Sequence, residues 1–249
     1  MSEKAEKQKK PENVWINLAL CILLPTLILT KGDDFTSLEP APILVIALLF
    51  PISYGIYDFI VRAKVNLFSV LGFVSVMLTG GIGLFKFPTE YFAIKEAAVP
   101  ACFGLAVIIT SFTSKPLVSV FLLNKELFDV EKIYKELAVR STEAAFKKLM
   151  LRCTRLLALS FFLSAALNYT LAKWIVVSPS GTEAFNDEVG KMTGLGFVVI
   201  ALPTMAITMY ALWELLKGIK QLTGYEFEQV LQPHLIEQIE AKEKSKKEE

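Results

Sequence analysis

The chain has 249 residues, 53% hydrophobic and 20% charged, with a formal net charge of +1. Its mean hydropathy of +0.49 is too high for an ordinary soluble domain; a net charge so near zero says nothing about partners, and no nucleic-acid partner is expected. A single histidine, His234, excludes a multi-histidine metal site within the chain and any Ser-His or Cys-His pair among the apolar segments.

Residues 1–12 carry Lys4, Lys7, Lys9 and Lys10 and read as a disordered basic tail. Six apolar blocks fill a membrane domain over residues 13–222, with spans at about 14–30, 43–61, 67–85, 92–114, 156–177 and 192–216. Runs of about 18–20 apolar residues cross a hydrocarbon core of roughly 30 Å. Helices are the expected form, since each satisfies its own backbone polar groups in lipid; the alternating segments of a barrel are absent. After Thr30 come Lys31, Gly32 and Asp33, not a small-x-small cleavage site, so the first block reads as a retained helix. Basic residues crowd the N-terminal tail, the loop after the second span, the connection 115–153 and the C-terminal tail, while the alternate loops hold only Lys31, Lys86 and Lys191. The positive-inside bias then predicts an all-α, six-helix bundle with both termini cytoplasmic.

Four spans carry a proline in mid-helix: Pro25, Pro51, Pro100 and Pro203. Each removes a backbone hydrogen bond and kinks its helix. Kinked helices line ion sites in transporters and also occur in membrane bundles generally. In the third span, Ser75, Thr79 and Gly83 share a face, with Gly72, Gly80 and Gly81 nearby. Small residues at this spacing let helices approach closely, first within the chain and alternatively in a second protomer. TGGIG (79–83) is followed by no Lys-Ser/Thr and is not a phosphate loop.

The start of the fourth span, FAIKEAAVP, carries Lys95 and Glu96 side by side. Adjacent helical residues project about 100° apart, so the two are expected to have separate partners. A helix entering the membrane at Pro88 would put Lys95 about 10 Å deep. One entering at Ala97 leaves both charges at the interface, and Ala97–Ser114, at about 27 Å, is long enough to favour this second course. With Asn168 and Lys173 of the fifth span they form a candidate polar site in the outer half. Asp58 with Arg62, and Glu214 with Lys217, read as interfacial pairs.

Within 115–153, Val130, Ile133, Tyr134 and Leu137, then Phe146, Leu149 and Met150, recur at helical spacing. This predicts one or two amphipathic helices on the cytoplasmic face, as a connector covering the bundle in preference to a docking helix. Residues 177–194 read as a compact polar turn anchored by Phe185, without a capping box. A short helix is expected at 225–240, interrupted or started by Pro233, within a charged cytoplasmic tail over 223–249. LGFVSVMLT (71–79) and LGFVVIALP (195–203) match too briefly to establish a repeat. Cys21, Cys102 and Cys153 are an odd set in or beside spans and read as structural thiols.

The run from YGIYDFIVRAKVN through SVLGFVSVMLTGGIGLF to FAIKEAAVP resembles a bacterial inner-membrane family related to intracellular septation protein A. The shared marks are Arg62 and Lys64-Val65, then Gly80-Gly81, then Lys95. The likeness to the septation proteins themselves covers about residues 45–110; LNYTLAKWIVVSPSGTEAFNDEVGKMTGLGF resembles the related inner-membrane family alone, whose likeness spans nearly the whole chain. The resemblance implies an inner-membrane protein tied to the cell envelope, with no catalytic, cofactor-binding or metal-binding residues to carry over. Two functions stay open. One is a non-enzymatic envelope protein contacting the bilayer, other envelope membrane proteins or itself through the 115–153 segment and the Ser75/Thr79/Gly83 face. The other is a small-solute or ion transporter using the kinked helices and the polar site.

Overall fold

A computed structural model of the chain describes residues 19–62, 67–113, 116–233 and 235–236. The N-terminal tail with the beginning of the first span, residues 237–249, Lys64, Lys115 and His234 lie outside the described residues, as do the side chains of Asp58 and Arg62 and the surroundings of Gly72. Among the described residues the structure is helical, with one isolated antiparallel bridge, Phe128 to Leu231. A π-helical turn, Ala19–Leu23, leads into α1 (Leu24–Phe35). Then come α2 (Pro40–Arg62), α3 (Leu67–Leu84), α4 (Glu90–Thr110), α5 (Leu117–Leu122), α6 (Val130–Val139), α7 (Glu143–Ile175) and α8 (Glu183–Gly196). A second π turn, Phe197–Ala201, leads into α9 (Leu202–Thr223).

Among the described residues, four segments are long and apolar enough to cross a bilayer: Pro40–Tyr57, Glu90–Thr110, Glu143–Ile175 and Glu183–Thr223; Val74–Leu84 is a shorter apolar helix. These mark a membrane protein. The chain divides into two compact units, residues 1–99 with 165–201, and residues 100–164 with 202–249.

In the first unit, the core gathers Leu29, Leu44, Ile82, Phe92, Leu171, Phe185 and Val189. Residues 177–194 are not a polar turn. Thr182 caps α8, its hydroxyl accepting from the Phe185 amide at 3.2 Å, and Phe185, Val189 and Met192 follow at helical spacing as buried residues. The turn itself is held by Glu188, whose carboxylate accepts from the amides of Val177 and Ser178 and from the Ser178 hydroxyl, at 2.9, 2.8 and 2.7 Å.

Two glycines of α8 pack tightly against α1. A methyl on Gly190 would lie 2.8 Å from Leu29 Cβ and 2.9 Å from Thr30 Cγ2; one on Gly194 would lie 3.3 Å from Thr26 Cγ2. Gly190-Lys-Met-Thr-Gly194 is therefore a small-x-x-x-small seam. On α3, Gly83 packs against Leu44 and Phe185, and Gly80 against Leu48, so this face meets the chain's own helices. Gly81 has no atom within 4 Å of an added Cβ and takes no part in the close packing.

The second unit surrounds Val107, Val118, Ile133, Leu137, Phe146, Cys153 and Leu215. The apolar positions of the amphipathic segment point into this core: Ile133 and Leu137 are fully buried, although Tyr134 is half exposed. Against water, burying each aliphatic chain is worth about 1.5–3 kcal/mol. The last part of the segment, residues 143–153, is not separate from the fifth span. Glu143 to Ile175 is one 33-residue helix, because nothing between them is Gly or Pro. The Asp129 side chain starts α6 by accepting from the Lys132 amide at 3.0 Å.

Residues 225–232 are not helical as expected. Gly224, at φ +75°, ends α9. A 3₁₀ turn, Glu228–Val230, then leads to the bridge at Leu231, where backbone bonds from Asp129 N to Val230 O and from Gln232 N to Leu127 O, 2.8 and 2.9 Å, replace helical ones. Glu214 turns to Arg152, 3.2 Å away, while the expected partner Lys217 lies 4.8 Å from the Trp213 ring centre. An aromatic partner offers the ammonium an alternative to the carboxylate.

Candidate functional site

Lys95 lies on the second turn of α4, which begins at Glu90. Its side chain is only 6% exposed. A buried ammonium must be compensated, and three groups do so. The Thr79 hydroxyl on α3 accepts from Nζ at 2.7 Å and in turn donates to the Ser75 carbonyl at 3.1 Å. Glu96 Oε1 accepts from Nζ at 2.5 Å. The Phe92 ring centre lies 4.8 Å away. The two neighbouring charges therefore do share a partner, each other. Their Cβ vectors diverge, but the long stems of lysine and glutamate curl back to one point, where Thr79 supplies the third vertex.

The pair lies on the wall of a cavity of about 290 Å³ within the first unit. Polar wall groups come from Ser75 and Thr79 on α3, Asn168 on α7 and Thr193 on α8. Phe92, Val189, Met192 and Ile200 are among the apolar ones. Lys95, Glu96 and Asn168 of the predicted polar site thus come together. Lys173 does not: it is exposed in the last turn of α7.

Pro25 and Pro51 also line the cavity, whereas Pro100 and Pro203 do not. Pro51 and Pro100 lie inside continuous α-helices. Pro25 and Pro203 are not in mid-helix: each is the second residue of an α-helix entered from a π turn. A proline ring clashes with the carbonyl four residues back. Those residues, Cys21 and Val199, both lie in the π turns, where the widened backbone makes room.

This correspondence exposes a repeat missed by reading the chain for apolar runs. Ile22-Leu23-Leu24-Pro25-Thr26 with Thr30 matches Ile200-Ala201-Leu202-Pro203-Thr204 with Thr208 in the form I-x-L-P-T-x-x-x-T. Each second threonine bonds the carbonyl of the first, at 2.8 Å (Thr30 to Thr26) and 3.0 Å (Thr208 to Thr204). Aligning the chain on its prolines finds the match. Cys21 of the first π turn and Ile200 of the second both line the cavity.

No family model, curated protein or solved structure matches this chain.

Proposed function

We propose that this is an integral membrane protein that carries a small polar solute through the bilayer, with the Lys95–Glu96–Asn168 cavity as its binding site. In this reading the chain crosses the membrane six times, with both ends in the cytoplasm of a bacterial cell. One observation carries it: an ion pair and an amide border a 290 Å³ space between apolar helices. Ionisable groups are expensive among membrane helices and are placed there for ion or substrate pathways. Helices interrupted by prolines and π turns beside the cavity add to the case, since irregular backbone in membranes lines cavities. The alternative, an envelope protein acting through helix contacts, draws less support. Gly80 and Gly83 are occupied by Leu48, Leu44 and Phe185, and Ile133, Leu137 and Phe146 by the core of their own unit.

Cys21 provides the test. In a chain carrying Cys102→Ser and Cys153→Ala, Cys21 is the one thiol left. A membrane-impermeant charged methanethiosulfonate should modify it in proteoliposomes if the cavity is aqueous. Modification by apolar maleimides alone would mean a space filled by lipid, and would refute the proposal.

A further inference from the structure

The cavity's electrostatics narrow what it can hold. Resting on the proposed binding site, we infer that its ligand is a small zwitterion of α-amino-acid type, its carboxylate beside Lys95 and its ammonium beside Glu96. Among the described residues, the charged groups on the wall are these two alone, and their charges cancel. A monoanion drawn to Lys95 would compete with Glu96 and leave a net negative charge in an apolar surround; a monocation drawn to Glu96 would leave Lys95 in excess. Either state buries an uncompensated charge, which is costly. A zwitterion adds one pole of each sign and keeps the site neutral.

The geometry leaves room for it. Glu96 engages Lys95 through Oε1 alone, and Oε2 makes no hydrogen bond among the described residues. The Glu96 side chain is a quarter exposed and lines the cavity, while Lys95 donates to Thr79 at 2.7 Å. Asn168 and Thr193 supply neutral polar groups to the same wall. The apolar remainder of a ligand would meet Phe92, Val189, Met192 and Ile200. At about 290 Å³ the space lies at the lower limit of the roughly 300–1,000 Å³ of small-molecule sites, the size for a free amino acid and not for a peptide.

The experiment uses the single-Cys21 chain in nanodiscs. L-alanine, L-valine and L-leucine are each compared with the corresponding carboxylate lacking the amine and the amine lacking the carboxylate. Binding is read by calorimetry and by protection of Cys21 from the charged thiosulfonate. At least one amino acid should protect Cys21, with both of its single-charge counterparts at least about tenfold weaker, the usual scale for losing a charged partner. Glu96→Gln should weaken the amino acid more than it weakens the carboxylate. Should a carboxylate or an amine bind better than its amino acid, the zwitterion is excluded while the aqueous binding site stands. If no probe binds but Cys21 still reacts, the ion pair is structural and the inference fails. A Cys21 inert to the charged reagent before any solute is added refutes the binding site itself.

Discussion

The α1–α8 seam yields the sharpest structural prediction, because the same substitution at two glycines should act with opposite sign. Gly190→Ala adds a methyl 2.8 Å from Leu29 Cβ, 2.9 Å from Thr30 Cγ2 and 3.2 Å from the Thr26 carbonyl oxygen, all inside the ~3.5 Å of comfortable contact. Two of these three atoms are a Cβ and a backbone oxygen, so no rotamer change removes the overlap and the helices themselves must separate. Overpacking of this kind costs about 1–3 kcal/mol, with the rigid neighbours placing it in the upper part of the range. The helix propensity gained from Gly to Ala returns about 1 kcal/mol, leaving a net loss of about 1–2 kcal/mol. Gly81→Ala meets nothing within 4 Å, so the propensity gain of up to about 1 kcal/mol stands unopposed. Reversible unfolding in mixed detergent–SDS micelles, followed by far-UV circular dichroism, should therefore separate the variants by about 2–3 kcal/mol. Equal stability, or a Gly81→Ala chain less stable than Gly190→Ala, would refute the packing argument.

Glu188→Gln should destabilise the α7–α8 turn by about 1–2 kcal/mol, since a neutral amide replaces a carboxylate that accepts three hydrogen bonds; faster amide exchange at Val177 and Ser178 would report it, and unchanged exchange would count against the turn's dependence on this charge. In the second unit, Arg140 first and the Tyr225 hydroxyl second hold the Glu136 carboxyl below its ordinary value, and Glu136 raises that of Tyr225. A lowered carboxyl contributes stability above its unfolded value, about 4.3, and loses it as pH falls through the lower folded value; a raised phenol contributes below about 10 and loses it as pH rises through its raised folded value. Docking of residues 225–232 on α6, followed by amide exchange at Gln232, should thus weaken at both pH extremes, and Tyr225→Phe should abolish the alkaline arm. Pro25→Ala restores an amide donor to the π turn and lets it tighten toward an α-helix. Cys21, which lines the cavity from that turn, should then change its rate of modification by the charged reagent; an unchanged rate would separate the proline from the turn's geometry.

Much of the architecture was legible in the residues. Apolar runs between charged or glycine- and proline-rich segments located the helices, because the cost of an unpaired peptide group in lipid leaves few other forms. The apolar stripe through Ile133, Leu137 and Phe146 marked a buried helix face, and the small residues of α3 marked a packing surface. The errors have physical causes. Residues 177–194 read as a polar turn, yet the Thr182 cap with Phe185, Val189 and Met192 makes them largely helical, and Gly190 and Gly194 serve where helices touch. The duplicated L-P-T element escaped notice because hydrophobic periodicity does not weigh a proline's register.

What the residues determined by themselves is the medium and the helices: hydropathy and backbone hydrogen bonding depend on local composition, whatever the neighbours. The site was decided only by tertiary structure. Lys95 and Glu96 diverge along their own helix, and no rule of spacing within α4 could bring them together. Thr79, sixteen residues away on another helix, holds the ammonium where Glu96 can reach it, and Asn168 completes the wall from a third. A buried charge takes whichever partners the packing brings near, and that is a property of the assembled helices.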